Sequence, residues 1–234
     1  MTAAADHRLI VPLDLPTVEA ARRMVDALDD AVSFYKVGLE LFASDGMTFA
    51  RALKSEGRQV FLDWKLHDIP TTVQRAASVL ADAGCDLLTV HGEPQVMEAA
   101  VRGKGGSALK VLAVTVLTSL NDADLLEMGF SERARELVER RIRHAIAAGC
   151  DGVVASPNEA ALAREIGGAD FLVVTPGVRP QWAAKNDQAR AATPAEALRA
   201  GASHIVCGRP ITAADDPRAA ARRVAAEMAE ALPA

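Results

Sequence analysis

Three charged residues at close spacing, Asp63, Lys65 and Asp68, follow directly on the apolar run Val60-Phe61-Leu62. Side chains two apart on a β-strand share a face. Asp63 and Lys65 are therefore expected to point together, with Asp68 in the loop beyond, within reach of the same site or of a neighbouring subunit. Lys36 ends another short apolar run and would alternate with them, giving Lys–Asp–Lys–Asp. Each charge then has an opposite neighbour and stays ionised although partly buried. A field fixed in this way stabilises charge that exists only in a transition state. An isolated Asp-x-Lys-x-x-Asp is ordinarily a solvated ion-pair network. Its position at the end of a buried strand favours chemistry, because charges are seldom aimed inward there.

A second group of residues fits an anion. Pro176-Gly177-Val178-Arg179 and Gly208-Arg209 each follow a strand-like run. Glycine lets a backbone N–H approach an oxyanion, and arginine offers a forked donor. Gln188 would add an amide donor. Either arginine alone is a surface salt bridge as readily as a ligand; the pair at adjacent strand ends favours phosphate. His67 and His91 read as hydrogen-bonding residues of the structure, and His7, His144 and His204 as incidental. No His/Asp/Glu set has metal-ligand spacing. Ser119, Ser156 and the cysteines lack a nucleophile signature. Neither a metal nor a cofactor is expected.

Strands and helices must bring these residues together. Strand-like runs are Leu9–Leu13, Ser33–Val37, Gln59–Trp64, Asp86–Val90, Lys110–Val116, Gly152–Ala155, Phe171–Thr175 and His204–Cys207. They are nearly continuous in Val, Ile and Leu, as strands covered on both faces are. Between them lie Ala-rich amphipathic segments: Thr17–Leu28, Met47–Glu56, Thr72–Ala83, Pro94–Arg102, Ser131–Ala148, Asn158–Ile166, Pro194–Ala200 and Asp216–Leu232. Thr17, Ser131 and Thr193 are expected N-caps. Gly84, Gly149 and Gly201 are expected left-handed C-caps. Eight alternations in 234 residues fit α/β architecture and a closed (β/α)8 TIM barrel, read as a single domain over residues 1–234. An open doubly wound sheet would carry glycines after its first strand. That turn here is Val11-Pro12-Leu13-Asp14-Leu15-Pro16, which has none. A barrel does its chemistry at the carboxyl ends of its strands, where the charged row and the two arginine-bearing turns fall. The long polar stretch Pro176–Ala192 is expected to act as a lid.

Composition excludes several classes of function. A formal net charge of −5 argues against a nucleic-acid coat or a membrane-surface binder, which lean basic. At 4% aromatic content a base-stacking platform is not expected. No apolar run approaches the roughly 20 residues of a spanning helix, and Met1–Arg8 has no signal-peptide core. Three widely spaced cysteines read as reduced, buried thiols of a cytoplasmic protein.

The run from Asp63 to Val73, Asp-Trp-Lys-Leu-His-Asp-Ile-Pro-Thr-Thr-Val, resembles the signature of the orotidine 5′-phosphate decarboxylase family. Leu13-Asp14, Lys36-Val37-Gly38, Leu117-Thr118-Ser119, Thr175 to Arg179, Asp187-Gln188 and Gly208-Arg209-Pro210-Ile211 agree in order along the whole chain. Thr71 and Asn186 depart from the family pattern, where Asn and Gly are frequent. The resemblance implies cofactor-free decarboxylation of orotidine 5′-monophosphate to uridine 5′-monophosphate, the last step of pyrimidine nucleotide synthesis. It implies Lys65 as proton donor to C6 and Asp63 beside the departing carboxylate. Asp68 would come from the partner of a homodimer with shared sites. Asp14 and Lys36 would hold ribose hydroxyls, with Thr72 nearby. Thr118 would contact the pyrimidine, and Arg179, Gln188, Gly208 and Arg209 the phosphate. Two other readings compete: a Mg2+-dependent sugar-phosphate decarboxylase or synthase with a similar Asp-x-Lys-x-x-Asp, and a barrel that binds a nucleotide without turning it over. Ile69-Pro70-Thr71-Thr72, Thr118 and the stretch with Gln188 favour the nucleotide over the sugar phosphate. A lysine pinned between carboxylates has no use in a mere binding module.

Overall fold

The short Val/Ile/Leu runs pair side by side in the order in which they occur. The computed structural model describes residues 5–183 and 192–231. In it β1 (Leu9–Pro12), β2 (Phe34–Val37), β3 (Gln59–Leu66), β4 (Leu87–His91), β5 (Lys110–Val114), β6 (Gly152–Val154), β7 (Leu172–Thr175) and β8 (His204–Val206) form a closed parallel barrel. The expected (β/α)8 barrel is what the chain builds. Helices α1 (Val18–Leu28), α2 (Leu39–Phe42), α3 (Gly46–Ser55), α4 (Pro70–Asp82), α5 (Pro94–Lys104), α6 (Asp122–Glu127), α7 (Ala134–Ala147), α8 (Ala160–Gly167), α9 (Pro194–Arg199), α10 (Arg209–Thr212) and α11 (Pro217–Ala229) connect the strands. Helices α2, α6 and α10 have only four to six residues. That is too short for a 3.6-residue repeat to show in the sequence.

Most expected caps form. Thr17 accepts from the Ala20 N–H, and Thr193 from the Glu196 N–H while Glu196 returns to the Thr193 N–H. Gly84, Gly149 and Gly201 all have positive φ. Ser131 is not the cap of its helix. That helix begins at Ala134, with the Arg133 N–H held by Glu136 and the Ala134 N–H by Asp122 from the preceding α6. Cys85, Cys150 and Cys207 are free and buried.

Alternation along the strands makes two hydrophobic layers. Outward residues pack under the helices in the main core. Inward residues Ile10, Phe34, Phe61, Leu87, Leu112, Val174 and Val206 meet in a separate cluster that fills the barrel. This apolar floor excludes water from beneath whatever sits on it.

His204 lies at the opposite, amino-terminal end and is not incidental. Its ring meets Phe34 edge-on, with centroids 5.8 Å apart. Burial pushes its pKa from 6.5 down to about 4, with His7 and Arg8 adding to the fall and Asp6 opposing it. An unfolded chain takes up that proton as pH falls through 6.5, whereas the folded ring stays neutral until about 4. Stability is therefore unaffected above the higher value and declines on acidification between the two, by up to about 1.4 kcal/mol per pH unit. His204→Gln is expected to flatten the pH dependence of urea-unfolding midpoints across this window. Identical slopes in variant and wild type would show that the ring does not carry the effect.

Candidate active site at the barrel mouth

One inward position above the apolar floor, the chemistry changes. Lys36 lies above Phe34, Asp63 above Phe61 and Thr89 above Leu87, while β5 remains apolar with Val114 above Leu112. Lys36 and Thr89 are buried. Lys36 Nζ lies 2.9 Å from Asp14 Oδ1 and 3.3 Å from Asp63 Oδ2. Lys65 Nζ lies 2.8 Å from Asp63 Oδ1. Within the chain the row reads Asp14–Lys36–Asp63–Lys65. Burial would raise the pKa of Asp63, but Lys36, Lys65 and hydrogen bonds from Lys65 and Thr89 outweigh it and hold the carboxyl below its usual range. Asp63 is thus a fixed anion between two cations.

The chain's own Asp68 does not join this row. Asp68 of the chain is exposed and accepts the Ile69 N–H at 2.6 Å, with no ion pair to Lys65 among the described residues. After Leu66 the chain leaves the barrel towards α4, which opens with Pro70, and this carries Asp68 away from Lys65. Asp14, at the end of β1, takes the second acidic position.

Nor do Asp63 and Lys65 meet by simple alternation. Leu62 pairs with Leu88 but Leu66 pairs with Val90, so three residues of β3 face the single residue Thr89. This bulge puts Lys65 in the left-handed region at φ 48°. A non-glycine residue there is strained by about 1–3 kcal/mol, and such strain concentrates at functional sites. The twist turns the Lys65 ammonium back onto Asp63.

Lys36, Asp63, Lys65 and Thr118 line one cavity of about 200 Å³, together with Pro176 and part of the apolar floor. The segment bearing Thr118 is anchored from outside. Arg141 on α7 donates to the Thr115 carbonyl and pairs with Glu93 at 3.3 Å. His91 stacks on His67 at 4.6 Å, beside that glutamate. Arg179, after β7, is buried; its N–H donates to the Ala192 carbonyl, and its Nε has no partner among the described residues. Gly208 and Arg209 form the turn from β8 into α10, beside the mouth. Thr72 is exposed in the first turn of α4. Gln188, and with it much of the expected lid, lies outside the described residues.

Two residues not picked out as site members shape this arrangement. Thr89 bonds to both Asp63 and Lys65; a threonine inside Leu-Leu-Thr-Val-His was the available signal. Gly38 stands in the sequence simply as the end of Lys36-Val37-Gly38. A methyl group at Gly38 would collide with Asp14 Oδ1 and come 2.8 Å from Lys36 Nζ, so glycine leaves room for that ion pair. Among the described residues, no group of three or more His, Cys, Asp or Glu is arranged to hold a metal ion, and no helix is long and apolar enough to cross a membrane.

Barrels of this kind work at the mouth, and the chain is of that class, an α/β-barrel enzyme. Residues 7–224 match the model of the orotidine 5′-phosphate decarboxylase / HUMPS family, and the chain belongs to that family. It is 74% identical to the orotidine 5′-phosphate decarboxylase of Caulobacter sp. (strain K31) over 97% of this chain and 99% of that one. Identity to the protein of that name from Rhodopseudomonas palustris (strain BisB5) is 51%, over 96% and 95% of the two chains. The crystal structure of orotidine 5′-phosphate decarboxylase from Lactobacillus acidophilus superposes with a TM-score of 0.84 at 40% identity, over 95% of this chain and 99% of that one.

Proposed function

We propose that the chain decarboxylates orotidine 5′-monophosphate to uridine 5′-monophosphate without metal or cofactor, and that the row of ions drives the reaction. The observation that carries this reading is the convergence of Lys36, Asp63, Lys65 and Thr118 on one cavity. Breaking the bond between C6 and the carboxylate carbon releases CO2 and leaves the electron pair on C6. No ring position delocalises that pair well, so the protein must supply the stabilising field. An ammonium about 4 Å away, at an effective dielectric near 20, contributes about 4 kcal/mol. Lys65 then gives a proton to C6, completing uridine 5′-monophosphate. Asp63 beside the substrate carboxylate repels it, and the repulsion ends as CO2 departs. The preset field carries the greater share.

The resemblance to the family supplies the other proposed contacts. Asp14 and Lys36 hold ribose hydroxyls, Thr72 lies beside them and Thr118 faces the pyrimidine. Arg179, Gln188, Arg209 and the Gly208 N–H hold the phosphate. A buried Arg179 Nε with no partner among the described residues supports an anion there, because buried donors are normally satisfied. The proposal includes a homodimer in which Asp68 of the partner subunit completes the row at Lys65. The exposure of the chain's own Asp68, next to an Ile69 that is 66% exposed, supports that assembly. A cytoplasmic location accords with the buried free thiols.

The test is to supply orotidine 5′-monophosphate to purified protein in excess EDTA and follow uridine 5′-monophosphate formation. Undiminished turnover is expected. No product would contradict the reading, and turnover restored only by Mg2+ would favour sugar-phosphate chemistry. Gly38→Ala is expected to lower kcat/KM about 10- to 100-fold by displacing Asp14 from Lys36. Circular dichroism should remain that of the wild type. Unaltered kinetics would mean that the Asp14–Lys36 pair is dispensable.

A further inference from the structure

We propose that Thr89 is a positioning residue: its hydroxyl, set in the β3 bulge, holds both Asp63 and the left-handed Lys65 in their working arrangement. The inference rests on the reading that Asp63 and Lys65 are the working ions.

The bulge creates a shortage that Thr89 fills. Between Leu62 and Leu66 the ladder to β4 is interrupted, so the Lys65 N–H loses its regular strand partner. That N–H instead donates to Thr89 Oγ1 at 3.0 Å. The same hydroxyl lies 3.0 Å from Asp63 Oδ1 and 3.5 Å from the Leu62 carbonyl. A hydroxyl has one proton to donate. The shorter, charge-assisted bond to the carboxylate takes it. Thr89 thus accepts from the backbone of the lysine and donates to the side chain of the aspartate. Thr89 itself is fully buried.

Both bonds bear on the same point in space. Asp63 Oδ1 also accepts from Lys65 Nζ at 2.8 Å. Thr89 Oγ1, Asp63 Oδ1 and Lys65 therefore close a ring from backbone N–H through hydroxyl and carboxylate to ammonium. Without the hydroxyl, the partly buried Lys65 N–H loses its acceptor, and nothing repays the left-handed backbone. The bulge then relaxes towards ordinary strand, and the ammonium swings away with it. Valine at this position keeps the shape of threonine and removes both bonds. Serine keeps both bonds and removes only a methyl group.

The test compares Thr89→Val with Thr89→Ser. The groups around Asp63 are Lys36 from β2, which also holds Asp14 after β1, Lys65 from its own strand and Thr89 from β4. Only the last is changed. Thr89→Val is expected to lower kcat about 10- to 100-fold, with KM for orotidine 5′-monophosphate within about 3-fold. In the same variant the Asp63 carboxyl, followed by 13C NMR, should titrate at higher pH than in the wild type, since a hydrogen bond that lowers it is gone. Thr89→Ser should restore both quantities close to wild type. Thermal unfolding checks that Thr89→Val is folded; should it not be, Thr89→Ala carries the same comparison. A kcat within 2-fold of wild type overturns the proposal. So does an unmoved Asp63 titration, or a serine variant as impaired as the valine one, since a packing defect accounts for those results. Should the wild-type chain form no uridine 5′-monophosphate, the proposed activity fails, while the Asp63 titration still decides the role of Thr89.

Discussion

Lys65→Ala is expected to abolish decarboxylation, with kcat lowered at least 10⁴-fold, while uridine 5′-monophosphate still binds within about 10-fold of wild type. Two contributions disappear together. The field of the ammonium at C6 accounts for about 4 kcal/mol, or roughly a thousandfold. Loss of the proton donor adds about another 10²-fold or more. Binding survives because the proposed phosphate and ribose contacts use other residues. Folding survives as well, since Asp63 keeps Lys36 at 3.3 Å and the Thr89 hydroxyl at 3.0 Å. Single-turnover assays and titration calorimetry measure the two halves separately. Turnover within 10-fold of wild type would remove Lys65 from its assigned role.

Asp63→Asn should be nearly as damaging to catalysis and more damaging to the fold. Lys65→Ala leaves one cation fewer around an anion that remains paired. Asp63→Asn leaves Lys36 and Lys65 together with no anion between them. Lys36 keeps Asp14 at 2.9 Å but loses its second carboxylate, and Lys65 loses the carboxylate at 2.8 Å. With Lys36 still paired and Lys65 partly open to water, the cost falls below the roughly 3–5 kcal/mol of a fully orphaned buried charge. The relaxed lysines no longer hold an ammonium at the reacting carbon, and kcat should fall at least about 10³-fold. Urea unfolding of both variants provides the check. A stability loss for Asp63→Asn no greater than for Lys65→Ala would mean that the row is not electrostatically coupled as described. The low pKa of Asp63 sets the acid limit of this contribution. The carboxylate gives its full stabilisation above the ordinary value of 3.8 and loses it only as pH falls through the still lower folded value.

The barrel was legible in the sequence because its signals are local. Runs such as Val60-Phe61-Leu62 and Val111-Leu112-Ala113 fit strands buried on both faces. Gly84, Gly149 and Gly201 end helices for a steric reason that any sequence displays. The position of Lys36 and Asp63 also followed, since inward alternation stacks them directly above Phe34 and Phe61. What escaped reading depended on departures from regularity. Alternation gave the right meeting of Asp63 and Lys65 for an incomplete reason: the bulge opposite Thr89 and the positive φ of Lys65 accomplish it. Spacing cannot reveal that Asp68 turns outward while Asp14 reaches Lys36, because that depends on where two loops leave the barrel. Ser131 failed as a cap because α6, too short to detect, brought in Asp122. The depressed pKa of His204 depends on depth at the barrel floor, which a lone histidine in a sequence does not announce.

A crystal structure of the chain with uridine 5′-monophosphate bound would bear most directly on the proposed chemistry. The account requires Lys65 Nζ within about 3.5 Å of C6, the reach of a group poised to deliver a proton. Asp63 must flank it on one side and Asp68 of the partner subunit on the other. A pyrimidine bound with C6 distant from that amine, or an amine turned to solvent over the bound nucleotide, would contradict it.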